Sequence, residues 1–303
     1  MTPFEVRDAR FHDAVPAGGR IERIVDGLGF GEGPIWHPRE HWLFFSDIAK
    51  SEQWLWSENE GQRLARKPSN QANGNFFDAQ GCIVSCEHAT SQVVRHEHDG
   101  KLVRPIATHW QGRELNSPND ICRHPDGSLW FTDPHFGRVR EPLGLLREQE
   151  LGHQGVYRID ANGSLALMID DFDQPNGLCF SRDWATLYVN DSPRGHIRAF
   201  DTDGRTVSNA RHHADITWGG AGVEGSEAWV PDGLKTDEKD RLWCNGPGGV
   251  HLLAPGGETL GVVHFPEKST NFCFGGADLS VLFVTTANCV YRLQTQTHGV
   301  AML

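Results

Sequence analysis

The chain has 303 residues, and its hydrophobic fraction of 38% with ten tryptophans is enough to fill a sizeable core in one large β domain or two ordinary domains. Its formal net charge of −12 argues against nucleic acid as a partner, because proteins that bind nucleic acid present a basic face. No run approaches the ~18 apolar residues of a membrane helix, and residues 1–15 lack the apolar core of a signal peptide. We therefore expect a cytoplasmic protein with no membrane partner.

A turn-forming segment that opens into a short apolar strand recurs six times along the chain. The first residue of each segment carries a carboxylate or an amide, and these residues are Glu32, Asn75, Asn119, Asn176, Asp232 and Asn271. They are separated by 43, 44, 57, 56 and 39 residues, a period that indicates a propeller or another repeat array. Equivalent positions of repeated units surround one axis, so these oxygen-bearing side chains are expected to converge.

Short apolar runs within each repeat predict the strands. The second arm of a hairpin, preceded by a polar or glycine-rich turn, is predicted at 41–46, 82–86, 128–132, 186–190, 241–245 and 281–285. Further strands are predicted at 155–159, 165–169 and 197–200. About four strands per ~45 residues match one propeller blade.

The organisation favours a single propeller domain over residues 1–303, because no Pro/Ser linker or low-complexity tract divides the chain. An N-terminal strand near 20–28 is expected to close the ring. Two long intervals contain loop insertions near 138–154 and 212–230, which we interpret as rims or lids over a pocket. Only residues 143–151 show helical periodicity, and it is weak.

The seven cysteines are an odd number and are spread along the chain, without paired CxxC motifs. Cys122, Cys179 and Cys273 follow repeat-opening asparagines and are predicted to be small buried side chains on inner strands. This usage fits a reducing compartment and argues against a zinc site. The adjacent His212 and His213 are interpreted as a solvated surface pair.

Four of the repeat-opening residues form the candidate metal site: Glu32, Asn119, Asn176 and Asp232. Two carboxylates and two amides supply oxygen donors only, which suits calcium, magnesium or manganese better than zinc. A lone Asn or Asp before a strand is usually a turn residue, but its recurrence at equivalent positions of a repeat favours a shared role. Asn75 and Asn271 occupy the remaining two positions and either line the channel or cap turns. The chain contains no G-x-S-x-G, H-E-x-x-H or phosphate-binding glycine loop.

The segments GEGPIW, NSPNDI, WFTDPHFG, QPNGLCFS, VPDGLK and NFCFGG, in this order, resemble the signature of the gluconolactonase family, which includes regucalcin. The resemblance spans about residues 20–293 and implies a six-bladed β-propeller with one divalent cation in its central channel. It implies that Glu32, Asn176 and Asp232 are metal ligands and that Asn119 lies beside the metal, where it contacts the substrate or completes the coordination. It also gives Asp232 the role of proton donor and acceptor. Ser117 stands where regucalcin-like members carry an arginine, which puts the regucalcin type of substrate contact in doubt.

The expected activity is hydrolysis of a sugar-type lactone such as gluconolactone to the open hydroxy acid. Asp232 would take a proton from the attacking water and return it to the leaving ring oxygen, unless the metal activates the water directly. Asp120 and Asp133 are candidates for binding sugar hydroxyls. The expected cofactor is one divalent cation, calcium first, with magnesium, manganese or zinc as alternatives. The rival functions are a metal-dependent phosphotriesterase-like hydrolase and a non-enzymatic calcium-binding propeller.

Overall fold

The computed structural model describes residues 3–97, 102–217 and 229–300. These residues form six sheets of four or five antiparallel strands and one two-stranded hairpin, His109–Trp110 with Arg113–Glu114. The first strands of successive sheets pack against one another in a ring, and the first strand of the sixth sheet packs against that of the first. The protein is therefore a six-bladed β-propeller, which confirms the fold class expected from the sequence.

Each blade is a hydrogen-bonded sheet whose strands follow one another outward from the axis. The strands of blades 1 and 2 are Gly31–His37, Trp42–Asp47, Glu52–Ser57 and Gly61–Arg66, then Ala72–Phe77, Ile83–Glu87, Gln92–His96 and Val103–Ala107. Those of blades 3 and 4 are Ile121–Arg123, Leu129–Asp133, Gln154–Ile159 and Leu165–Phe172, then Pro175–Phe180, Thr186–Asp191, His196–Thr202 and Val207–Asp215. Those of blades 5 and 6 are Leu234–Thr236, Leu242–Gly246, Gly249–Leu253 and Thr259–Val263, then Ser269–Gly275, Val281–Thr286 and Val290–Gln294.

Both ends of the chain meet in the last two blades. Ile21–Val25 pairs antiparallel with Val290–Gln294 and is the outermost strand of blade 6. Phe4–Val6 pairs with Thr259–Val263 and adds a fifth strand to blade 5. Strands from the N-terminal segment thus cover edges that would otherwise expose unpaired backbone groups.

The core lies between the blades, so the middle strands are buried on both faces. For that reason the strand Trp42–Asp47 reads WLFFSD, an apolar run without alternation. Aromatic rings fill the gaps between strands, as where the rings of Phe131 and Tyr157 stack with centroids 5.4 Å apart. All seven cysteines are buried and unpaired, which confirms the prediction made for the inner-strand cysteines.

The helical periodicity at 143–151 was misleading, because these residues are not helical. The α-helix Phe136–Val139 comes just before them, and a 3₁₀ helix spans Ala9–Asp13 near the N-terminus. The backbone of 143–151 is fixed by tertiary hydrogen bonds instead, including Leu145 N–H to the Gly137 carbonyl at 2.9 Å. No helix within the described ranges is long and apolar enough to cross a membrane.

The second predicted insertion, 212–230, is only partly described. Its first residues, to Asp215, complete the outermost strand of blade 4, Val207–Asp215. Residues 218–228 lie outside the described ranges.

Candidate metal centre

The first strands of the blades surround a cavity of about 70 Å³ at one end of the axis. All four residues proposed as metal ligands, Glu32, Asn119, Asn176 and Asp232, line this cavity. Each is either the second residue of a first strand or lies two residues before it. The repeat therefore brings together side chains that are up to 200 positions apart in the sequence.

Glu32 enters the cavity from the first strand of blade 1 and is only 3% exposed. Its Oε2 accepts hydrogen bonds from the Gly33 N–H at 2.9 Å and from Asn271 Nδ2 at 3.0 Å. Asn271, in the first strand of blade 6, is not among the residues that line the cavity in the described structure. It orients the Glu32 carboxylate through its hydrogen bond to Oε2.

Gly33 gives the strand the conformation that presents Glu32. Its φ is 54°, and the register of the first two strands of blade 1 shifts between Glu32 and Ile35. A Cβ on Gly33 would lie 2.1 Å from the carbonyl oxygen of Asn73 in blade 2. Only glycine fits this position, both for its backbone angle and for the close approach of the neighbouring blade.

Gly33→Ala is expected to lower the free energy of unfolding by more than about 1 kcal/mol and to weaken cation binding at the same time. The matched control is Gly61→Ala, because Gly61 also has a positive φ, 68°, but has no atom within 4 Å of an added Cβ. Chemical denaturation and calcium titration of both variants measure the two effects. Equal losses of stability in the two variants would mean that the contact with blade 2 is unimportant.

Asn176 and Asp232 are held from the preceding blade. Thr132, in the second strand of blade 3, donates its hydroxyl to the Asn176 carbonyl at 2.8 Å. Asn190, in the second strand of blade 4, donates its amide to the Asp232 carbonyl at 2.5 Å. The positions of both site residues therefore depend on the packing of successive blades around the axis.

The two carboxylates of the cavity repel each other. Burial raises the pKa of Glu32 well above its usual range, and the nearby Asp232 raises it further. Burial also raises the pKa of Asp232; Lys268 opposes this effect, while Asp120 adds to it. A positive charge bound between the two buried carboxylates would offset their repulsion and stabilise the ionised form of both.

The residues present fit a divalent cation. The donors that line the cavity are carboxylate and amide oxygens, the ligand type of hard cations. Asn73 also lines the cavity, and its buried Oδ1 has no hydrogen-bond partner in the described structure. An unsatisfied amide oxygen beside two carboxylates is a further donor that a cation would satisfy.

The other predicted residues lie around the cavity without lining it. Asp120 forms an ion pair with Lys235 at 3.3 Å, and its charge raises the pKa values of both cavity carboxylates. Asp133 Oδ2 accepts the Asn116 N–H at 2.8 Å. Asn75 is occupied between blades 1 and 2, where its Nδ2 donates to the Gly33 carbonyl at 2.8 Å and its Oδ1 accepts from Gln53.

Asp133 predicts a pH dependence of stability. Burial raises its pKa to about 7, so the folded protein holds this proton more tightly than the unfolded chain does. The resulting stability is fully present below about pH 4 and is lost as pH rises towards 7. We expect the stability of Asp133→Asn relative to the unsubstituted protein to rise over that interval by up to about 1.4 kcal/mol per pH unit. A difference that stays constant between pH 5 and pH 8 in urea denaturation would contradict this.

His88 and Lys268 line the cavity and were not identified from the sequence. His88 Nδ1 donates to the Leu143 carbonyl at 2.7 Å, and its Nε2 accepts from Asn73 Nδ2 at 3.2 Å. Burial lowers its pKa to about 4, so the ring is neutral. The sequence could have indicated His88, because this residue directly follows the second strand of blade 2. At the end of a second strand the chain is back at the end of the propeller where the first strands begin.

Ser117, at the position where regucalcin-like members carry an arginine, has a structural role. Its hydroxyl donates to the Pro134 carbonyl at 2.6 Å and accepts the Gly137 N–H at 2.9 Å. It thereby fixes the start of the 138–154 insertion. That insertion contributes Arg140 and Leu143 to the cavity lining, so an arginine reaches the cavity from another part of the chain.

These features define a class of protein: a six-bladed β-propeller with an axial cavity lined by carboxylates and amides from four blades. The chain belongs to the SMP-30/Gluconolactonase/LRE-like family, whose model matches residues 30–288. It is 28% identical to a gluconolactonase of Zymomonas mobilis over 92% of this chain and 82% of that protein. It is 35% identical to regucalcin of Sus scrofa over 88% of this chain and 87% of that protein.

A solved structure of a gluconolactonase from Xanthomonas campestris superimposes with a TM-score of 0.88 and 32% sequence identity. The match covers 97% of this chain and 95% of that one. The family expected from the six ordered motifs is thus confirmed.

Proposed function

We propose that this protein is a metal-dependent lactonase that hydrolyses a sugar lactone such as gluconolactone to the open hydroxy acid. Relatives named gluconolactonase and pentonolactonase support a lactone hydrolase, since each aligns with at least 88% of this chain. The observation that carries the proposal is the pair of buried carboxylates, Glu32 and Asp232, in one axial cavity with Asn119 and Asn176.

Glu32, Asn176 and Asp232 would hold the cation, with Asn119 completing its coordination or contacting the substrate. When bound, a divalent cation supplies Lewis acidity that polarises the lactone carbonyl and stabilises the developing oxyanion, an effect worth several kcal/mol. Calcium suits this oxygen-only donor set best. Lys268 lines the cavity and would add positive charge that stabilises a developing oxyanion.

Asp232 is the proton carrier in this proposal. Its carboxylate takes a proton from the water as the water oxygen bonds to the lactone carbonyl carbon. The ring C–O bond then breaks, and the same proton passes to the leaving ring oxygen, which becomes the hydroxyl of the product. Burial makes Asp232 a stronger base than an exposed aspartate, while a bound cation acts in the opposite direction.

A pH-indicator screen tests the proposal. Protein stripped with chelator and protein resupplied with calcium, magnesium, manganese or zinc are assayed on aldonolactones, simple γ- and δ-lactones and a panel of organophosphates. We expect turnover of aldonolactones only after metal is returned. Turnover of organophosphates alone would favour a phosphotriesterase-like hydrolase. Cation binding without turnover of any compound would favour a calcium-binding propeller.

A further inference from the structure

A second group of potential metal ligands lies on the outer strands of blade 4, away from the axial cavity. One ligand atom each from His196, His212 and Asp215 lies within 4.8 Å of the others. None of the three residues lines the axial cavity. Two imidazoles and one carboxylate are donors for a borderline metal such as zinc, in contrast to the oxygen donors at the axis.

A β-bulge creates this arrangement. In a regular strand, side chains three residues apart point to opposite faces, so His212 and Asp215 would be separated by the sheet. Here the register shifts by one residue, because Ile197 pairs with Ala214 and Arg198 pairs with His212. The extra residue brings His212 to the face of Asp215, which pairs directly with His196. Bulges of this kind often re-aim side chains at functional positions.

The hydrogen bonding of the three residues leaves room for a metal. His196 Nε2 is buried and has no hydrogen-bond partner in the described structure. His212 Nε2 and Asp215 Oδ1 are 2.8 Å apart, and this pair would exchange its hydrogen bond for bonds to the ion. Ligand atoms around a tetrahedral zinc lie roughly 3.4 Å apart. The His212 and Asp215 side chains are 54% and 64% exposed, so they can rotate to close the remaining gap.

The neighbouring charges do not block a cation. Arg198 is paired with Asp171 at 2.7 Å and stacks against aromatic rings, and Arg194 lies 3.4 Å from the Asp191 carboxylate. Both arginines are therefore held by carboxylates outside the three-residue cluster.

We propose that His196, His212 and Asp215 form a second metal site, which binds zinc or a similar borderline divalent ion and joins the two outermost strands of blade 4. Three protein ligands leave the fourth tetrahedral position open for water or another donor. The site is independent of the proposed lactonase activity, because it shares no ligand with the axial cavity.

Zinc titration by calorimetry on the full chain, with the axial site saturated by calcium, tests this inference. We expect one zinc equivalent, and an affinity at least about tenfold lower in both His196→Ala and His212→Ala, since even an outer-sphere partner of a metal contributes that much. The matched control is His213→Ala, because His213 neighbours His212 but its ring packs 4.9 Å from that of Tyr188. That variant should bind zinc normally.

Asp232→Asn should also retain the zinc equivalent, which separates this site from the axial one. The absorption spectrum of bound cobalt gives a second readout, and we expect its tetrahedral bands to disappear in His212→Ala. Because His212 is exposed, misfolding of this variant would not explain the loss of the bands. Unchanged zinc affinity in both histidine variants would overturn the proposal. Loss of the zinc equivalent in Asp232→Asn but not in the histidine variants would also overturn it.

Discussion

Replacing Asp232 with asparagine is expected to leave the propeller folded and to reduce kcat for a sugar lactone by about 10²–10⁴-fold, the usual contribution of a general acid–base residue. Asparagine keeps the shape of the side chain and its hydrogen-bonding oxygen. It cannot accept a proton from water or return one to the ring oxygen. Steady-state kinetics at saturating metal, with bound cation quantified, measures the effect.

The stability of the same variant distinguishes loss of chemistry from loss of fold. Because the pKa of Asp232 is raised in the folded protein, its ionised form destabilises the metal-free propeller as pH rises above the ordinary aspartate value. In chelator at neutral pH, Asp232→Asn should therefore be at least as stable as the unsubstituted protein. Asp26→Asn serves as the control for the substitution itself, because the Asp26 side chain is 70% exposed. Near-normal turnover by Asp232→Asn would exclude Asp232 as the proton carrier.

Glu32→Gln is expected to weaken calcium binding by about 100-fold or more, because it removes one of two charged ligands and ligand charge largely sets calcium affinity. The Asn271 amide can still hydrogen-bond to the new side chain, so the position of residue 32 is retained. Activity should return in part at high metal concentration, unlike the activity of Asp232→Asn. Glu22→Gln on blade 6, where Glu22 pairs with Arg292 at the surface, is the control.

The calcium affinity of the unsubstituted protein should also depend on pH. Both carboxylates must be ionised to bind a cation, and burial raises the pKa values of both, with Asp232 adding to the effect on Glu32 and Asp120 adding to the effect on Asp232. Affinity should therefore fall as pH is lowered through those raised values, and the fall should be shallower in Glu32→Gln. Calorimetry at pH 8 and pH 6 measures both. Equal calcium affinities in Glu32→Gln and the unsubstituted protein would remove Glu32 from the site.

The fold could be predicted because the blades of a propeller repeat the same pattern of turns and strands at a regular interval along the sequence. Turn, first strand and hairpin recur in each blade, and the residue that opens each repeat lies near the axis. The prediction at 143–151 was wrong because leucine spacing alone imitated a helix. Tertiary contacts decide that segment, including the Arg147 N–H, which donates to the Arg138 carbonyl at 3.0 Å.

The site was predictable only where the repeat specifies it. Glu32, Asn119, Asn176 and Asp232 occupy equivalent positions, and the structure brings all four to one cavity. Residues such as His88 and Lys268 come from the connections between strands, whose paths depend on how the blades pack. The repeat does not specify their residue types, although the position of His88 directly after a second strand was a usable signal.

The outer cluster on blade 4 shows a different limit of pattern reading. The sequence was interpreted as placing only a solvated pair at His212 and His213, and alternation along a regular strand would put His212 and Asp215 on opposite faces. His212 is indeed exposed, whereas the His213 ring packs on Tyr188. One additional residue in the strand moves His212 to the same face as Asp215, and no residue type in the sequence predicts this bulge.

A crystal structure of the protein grown with calcium tests most directly whether distant side chains converge on one ion. We expect a single calcium at the axis, with oxygens of Glu32, Asn176 and Asp232 at 2.3–2.6 Å. An axial cavity that contains only water at saturating calcium, or a calcium bound elsewhere and not by these three residues, would contradict it.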